Sequence, residues 1–181
     1  KDPNEVYALE VMAGILDGGN SARLAKELVR GTQIAVSAGA GYDMYDRINN
    51  LFLFDGRPST GNSIDVLETA LREQVARLQT TLATQDELDR IKAQVVAAKV
   101  YELDSVFYQG MQIGTLETVG LDHTRLDEYV ARVRAVTPAQ VQAVAKKYLI
   151  DEGLTVAILD PMNDKKENNK AAAEKGVEHA K

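Results

Sequence analysis

The sequence has no cysteine and no tryptophan, and it has only two histidines among its 181 residues. Without cysteine the chain forms no disulfide, iron–sulfur cluster, thiolate zinc site or catalytic thiol. A catalytic zinc site usually needs three protein ligands, often with two histidines close together on one helix. Because His123 and His179 lie far apart in the sequence, we expect no metal ligands in this chain.

Long apolar runs and basic clusters are also missing. No stretch of 18 apolar residues occurs, so no membrane-spanning segment is expected. The 21 Lys and Arg residues are outnumbered by 27 Asp and Glu, which gives a net charge of −6. Nucleic-acid binding depends largely on neutralising phosphates, so this balance argues against a nucleic-acid partner.

The first thirty residues predict two helices joined by a tight turn. Residues 2–5 read Asp-Pro-Asn-Glu, which is typical of a helix N-terminus. Apolar residues then recur at helical spacing at Val6, Leu9, Ala13 and Leu16. A Gly-Gly pair at 18–19 ends this helix, and a second helix, capped by Asn20 or Ser21, reaches about Arg30.

Two strands follow, at residues 34–42 and 51–54, joined as a hairpin through residues 43–50. The first strand alternates apolar residues with alanine, serine and glycine. Its small side chains indicate close approach by another backbone, either an extended peptide added at the strand edge or a packed helix. Both interpretations remain open.

Helical patterns dominate the remainder of the chain. Helices are predicted from Asn62 or Ser63, from a capping box at 84–87 to about Gly110 or beyond, from Asp122 or Thr124, and from 137 to 148. Residues 154–159 predict a final strand. The domain is assigned to residues 1–161 and a disordered tail to 162–181.

The predicted fold class is α+β, with an antiparallel sheet packed by helices. Three strands are few for so many helices, and the sequence starts at a helix cap, so we expect the first strand to be missing. Tyr101, Phe107, Tyr108, Met111 and Ile113 are interpreted mainly as core residues, with a domain or dimer interface as the alternative. The charged residues Glu87, Asp89, Lys92 and Lys99 are expected to form a solvent-exposed helix face, and His123 is expected at the surface.

Several passages resemble the pitrilysin/insulinase family of zinc metallopeptidases. Residues 16–24 (LDGGNSARL) with 26–30 (KELVR) are similar to the family's Gly-Gly-x-Ser-x-Arg-Leu…Glu-Leu-Arg passage. The small-residue strand at 35–42, ELDRIK at 87–92, VTPAQV at 136–141 and KYL at 147–149 match later family passages in the same order. The resemblance extends over about residues 6–161.

The resemblance implies one half of a two-part enzyme. Family members have two homologous α+β halves around a chamber, and the N-terminal half carries H-x-x-E-H with the zinc ligands and general base. This chain lacks that motif and is similar to the C-terminal half without its opening strand. Zinc and base would then lie outside this chain, in a catalytic half or partner subunit, and this segment alone would be inactive.

The resemblance also implies partners and an alternative. The intact protein would be a zinc metalloendopeptidase acting on a peptide substrate, with this half forming a chamber wall and possible homodimer contacts. Its location would be the bacterial periplasm, with the cytoplasm as the other option. The alternative is a non-catalytic scaffold subunit of the same family.

Many relatives contribute an arginine and a tyrosine, seven residues apart, to the substrate. In this sequence those positions correspond to Val29 and Val36. The nearest available side chains are Arg30, one position away and rotated by about 100° on a helix, and Tyr42. Arg30 and Tyr42 are therefore the candidate substrate-binding residues.

Overall fold

The computed structural model describes residues 3–48, 50–102 and 104–159. Its elements are α1 (Pro3–Asp17), a π-helix (Ala25–Gly31), β1 (Ala35–Tyr42), β2 (Phe52–Pro58), α2 (Ile64–Thr80), α3 (Gln85–Glu102), α4 (Val106–Thr118), α5 (Arg125–Ala135), α6 (Pro138–Tyr148) and a 3₁₀ turn (Asp151–Gly153). The predicted cap at Asp2, the tail at 162–181 and His179 lie outside the described residues.

The predicted hairpin is confirmed. Strands β1 and β2 pair antiparallel, with Ala40 opposite Phe54 and a bulge between Ala35 and Ser37. The predicted strand at 154–159 is wrong, because this segment is exposed and pairs with no other strand in the described ranges. Its alternating apolar pattern fits a strand, but a strand forms only where a neighbouring edge satisfies its backbone groups.

Helix α1 is the centre of the core. Its residues Val11, Met12, Ile15 and Leu16 are fully buried, and the helix packs against β1, α3, α5 and α6. Gly14 allows α3 to approach closely, since a Cβ at this position would lie 2.9 Å from Cγ2 of Ile91. The fold is thus a helical layer built around α1, packed against a small antiparallel sheet.

The helix boundaries follow their caps. Ser63 and Thr137 each accept a backbone hydrogen bond at the start of a helix, and Thr137 forms a reciprocal capping box with Gln140. The helix predicted to run from the 84–87 box to about Gly110 is instead two helices. The side chain of Ser105 accepts a hydrogen bond from the Tyr108 N–H and starts α4, so the local cap overrides the continuous apolar pattern.

The aromatic cluster predicted as core is largely exposed. Phe107 is 82% exposed and Tyr101 is 75% exposed, and Met111 and Ile113 are also exposed. The expectation of core packing is therefore wrong for Tyr101, Phe107, Met111 and Ile113, because the described part of the chain leaves these side chains exposed to solvent, whereas Tyr108 is half-buried.

The charged face predicted on α3 is only partly solvated. Glu87 pairs with the buried Arg23, and Lys99 pairs with Glu102 at 3.0 Å. Asp89 is exposed, as expected. Among the helices that the structure describes, none is long and apolar enough to cross a bilayer.

Candidate functional site

One edge of β1 is not used by β2. The N–H of Ala40 donates to Oδ2 of Asp17 at 3.3 Å, so it points away from β2 and towards the end of α1. Backbone groups alternate in direction along a strand, so Ala38 and Tyr42 direct their groups to this same edge. This edge is free of any strand in the described part of the chain.

A cleft of about 270 Å³ lies beside the C-terminal half of this edge. Its walls come from α1, β1 and α3, and the small residues Gly14, Ala40 and Gly41 keep it open. Glu10, Asp17 and Gln94 supply its polar groups. The cleft therefore combines a strand edge that no other described strand occupies with two carboxyl groups.

Glu10 is the most perturbed acid in this cleft. Burial, with a smaller contribution from the charge of Asp43, raises the pKa of Glu10 to about 7. At neutral pH this carboxyl is close to half-protonated. A cationic group entering the cleft would stabilise its charged form.

The structure places Arg30 on the π-helix and Tyr42 at the C-terminal end of β1. Arg30 is exposed on the π-helix, and its guanidinium donates to the backbone oxygen of Asn20. Tyr42 ends the strand, is half-buried, and stacks on Phe52 with ring centroids 6.4 Å apart. Burial raises the pKa of the Tyr42 phenol. The Asn20 oxygen that Arg30 binds lies just after the C-terminus of α1, whereas Tyr42 lines the acidic cleft beside Glu10.

Sequence reasoning missed Glu10 and Asp17. The sequence does contain a weak indication of Glu10. It is the one charged residue between Val6 and Leu16, in a helix face that is otherwise apolar. A carboxyl in that position is either buried at a cost or directed into a cavity. Asp17 gave no such signal, because an acid before a Gly-Gly turn is ordinary.

The residues described do not suit zinc. No group of three or more His, Cys, Asp or Glu side chains within the described ranges is arranged to hold a metal ion. His123 is exposed, and its Nδ1 lies 3.0 Å from Oε1 of Glu117, which raises the pKa of the imidazole. A hydrogen-bonded surface histidine supplies no zinc site, so no chemical step is assigned to a metal on this chain.

Comparison with known proteins identifies the fold and the family. Residues 1–95, just over half of the chain, match the family described as "Peptidase M16 inactive domain". The chain is 25% identical over 156 residues to "Uncharacterized zinc protease YmxG" of Bacillus subtilis, covering 86% of this chain and 37% of that protein. It therefore spans little more than a third of the length of this relative.

Solved structures have the same fold. A protease from Helicobacter pylori has a TM-score of 0.74 at 24% identity, over 83% of this chain and 36% of that one. An inactive peptidase domain from Bordetella parapertussis has a TM-score of 0.71 at 22% identity, over 90% of this chain and 88% of that one. The resemblance to the half without zinc ligands is thus confirmed: this chain belongs to the peptidase M16 inactive-domain family.

Proposed function

We propose that this chain is the C-terminal, non-catalytic half of a zinc metalloendopeptidase and that it forms one wall of the substrate chamber. The observation that carries this proposal is the match of residues 1–95 to the inactive peptidase domain. The zinc ligands and the catalytic base lie outside this chain, on the same polypeptide or on a partner subunit. The chain then contributes substrate binding and no chemical step.

The peptide binds as an added strand along the free edge of β1. Ala38 and Ala40 supply backbone donors and acceptors at alternate positions, as β-strand addition requires. The peptide must replace Asp17 as the acceptor for the Ala40 N–H, which is 3.3 Å from that carboxylate. Glu10 and Asp17 in the neighbouring cleft favour a basic side chain in the bound peptide.

Arg30 and Tyr42 contact different parts of this peptide. Arg30 lies on the π-helix and Tyr42 on β1, so each side chain approaches the peptide from a different element. Arg30 is exposed and reaches the incoming chain near the start of β1, whereas Tyr42 lies beside the acidic cleft. Their role is to hold the substrate in register.

The uncovered side of α4 contacts the catalytic half. Residues 105–116 contain no charged side chain, and Val106, Phe107, Met111 and Ile113 are exposed on this helix. A helix that is apolar on most sides is normally buried against another element. The Helicobacter pylori structure matches this chain over only 36% of its length, so such proteins carry a further region able to cover α4.

The alternative is a scaffold subunit that binds a partner without contributing to proteolysis. The observation that favours it is the presence of Val29 and Val36 where the resemblance places arginine and tyrosine. A scaffold would retain the apolar α4 surface but would not need an open β1 edge.

The test uses the native protein that contains this segment, assayed for mass, zinc content and peptide hydrolysis with and without a chelator. A protease is expected to have about twice this mass, one zinc per molecule, and chelator-sensitive cleavage. In that enzyme, Arg30→Ala should raise KM, whereas Lys26→Ala, also exposed on the π-helix, should not. A protein or complex without zinc that cleaves no peptide would support the scaffold instead.

A further inference from the structure

A second cavity lies near the C-terminal end of β1, where Tyr42 lines both this cavity and the acidic cleft. Its volume is about 350 Å³, which is within the usual range of small-ligand sites. Part of its wall is apolar and comes from Val6, Met44, Ile48 and Leu121. Helix α1, the loop between β1 and β2, and the segment before α5 meet here.

Two arginines line this cavity. Neither Arg47 nor Arg125 makes a side-chain hydrogen bond or an ion pair within the ranges that the structure describes. Asp46 is the one acidic side chain among the lining residues. The lining therefore carries one net positive charge, which matches a monoanion better than a doubly charged phosphate.

Asn50, on the same wall, has an unsatisfied donor. Its Oδ1 accepts the N–H of Leu51 at 2.7 Å, which leaves the amide Nδ2 as the donor end. This nitrogen is buried and has no acceptor in the described part of the chain. A buried unpaired donor is costly, so a ligand oxygen at this position gains a hydrogen bond and removes that cost.

Tyr45 adds a fourth donor beside the arginines. Burial raises the pKa of Tyr45 to about 12, although the charge of Arg125 opposes the shift. Its hydroxyl is therefore protonated at neutral pH and can donate a hydrogen bond. The cavity therefore combines hydrogen-bond donors with an apolar surface.

We propose that this cavity binds the C-terminal carboxylate of a peptide that ends in an apolar residue. Arg47 and Arg125 pair with the carboxylate, Asn50 donates to one of its oxygens, and the final side chain packs on Val6 and Leu121. Arginine suits this role because its planar donors match a carboxylate. The site adjoins the β1 edge at Tyr42, and its existence does not depend on the proposed protease function.

The experiment titrates the 181-residue chain with acetyl-Ala-Ala-Leu carrying a free carboxylate, followed by two-dimensional NMR. We expect shifts at residues 42–48 and 121–125, and at least tenfold weaker binding of the same peptide with an amidated C-terminus. Arg125→Gln should weaken binding of the free acid about tenfold, and Asn50→Asp should weaken it because it places a carboxylate against the ligand. Arg134→Gln, an exposed arginine on the same helix, is the matched control.

Any one of the following results would overturn the proposal. The first is equal affinity for the acid and the amide, the second is unchanged affinity in Arg125→Gln, and the third is no binding of the acid at saturating peptide. Shifts confined to residues 38–41 would indicate the β1 edge instead and would also exclude the cavity.

Discussion

The guanidinium of Arg23 makes two hydrogen bonds to the carboxylate of Glu87, from Nε to Oε1 at 2.6 Å and from Nη2 to Oε2 at 2.9 Å. Arg23 is only 7% exposed, so this is a largely desolvated pair. The same Glu87 carboxylate accepts the N–H of Thr84 at 2.9 Å and caps α3. One side chain therefore starts α3 and fixes it to the turn that follows α1.

The first prediction concerns this pair. Arg23→Ala leaves a partly buried carboxylate without its cation, so we expect the free energy of unfolding to fall by about 3 kcal/mol. Urea unfolding followed by circular dichroism measures the change. Arg72→Ala breaks exposed pairs with Glu68 and Asp151 and should cost much less than Arg23→Ala. Equal losses in the free energy of unfolding would show that the Arg23–Glu87 pair stabilises the fold no more than an exposed ion pair does.

The second prediction is a pH dependence from Glu87. Hydrogen bonds from Arg23, together with those from Thr84, lower the pKa of Glu87 to about 2, from an ordinary value of 4.5. A lowered carboxyl pKa contributes stability that is present above pH 4.5 and is lost as the pH falls towards 2. Glu87→Gln should therefore be less stable than wild type at pH 7 and approach it at pH 2. A constant difference across this range would contradict the assignment.

The third prediction concerns Glu10, whose effect on stability has the opposite pH dependence to that of Glu87. Its pKa is raised from 4.5 to about 7, so the folded state retains the proton to higher pH than the unfolded state. Stability should fall as the pH rises from 4.5 to 7 and then level off, by roughly 2–3 kcal/mol in total. Glu10→Gln should lack this loss, whereas the exposed control Glu73→Gln should retain it. The prediction is refuted if the urea midpoints of Glu10→Gln and wild type change by the same amount between pH 5 and pH 8.

Local signals made most of the secondary structure predictable. The capping box at Thr137 and Gln140, the Gly-Gly turn and the alternating β1 pattern each depend on a few neighbouring residues, and each appears as expected. The break before α4 was missed although its signal is also local, because the apolar pattern continues through Ser105.

The errors at residues 154–159 and at Phe107 have one physical cause. An apolar pattern reports that a surface prefers burial, but it does not say which partner covers it. Both segments are apolar, as their pattern indicates, but both are exposed in the described part of the chain. The pattern therefore does not predict whether a partner buries them. Glu10 and Asn50 were missed for a related reason, since a cavity depends on three or more elements distant in sequence.

The fourth prediction concerns the exposed side of α4. Phe107 is 82% exposed, so Phe107→Ser should leave the free energy of unfolding within about 0.5 kcal/mol of wild type. It should nevertheless weaken association with the proposed catalytic half, and reduce any self-association of the isolated chain, because apolar anchors dominate such contacts. Analytical ultracentrifugation measures both. Leu82→Ser, exposed on the segment before α3, is the control, and an equal effect of both variants would exclude a specific surface.

The last prediction concerns the hydrogen bond between Asp17 and Ala40. If a peptide adds to β1, its carbonyl must displace the Asp17 carboxylate from the Ala40 N–H. Asp17→Ala removes that competing acceptor, so the Ala40 amide should exchange with solvent faster and a neutral peptide should bind about three- to tenfold more tightly. Asp17→Asn keeps an acceptor oxygen and should stay close to wild type. A peptide without Lys or Arg is needed because the carboxylate itself attracts cations. Weaker binding of this neutral peptide to Asp17→Ala would mean that Asp17 holds the ligand directly and that the edge of β1 is not the binding surface.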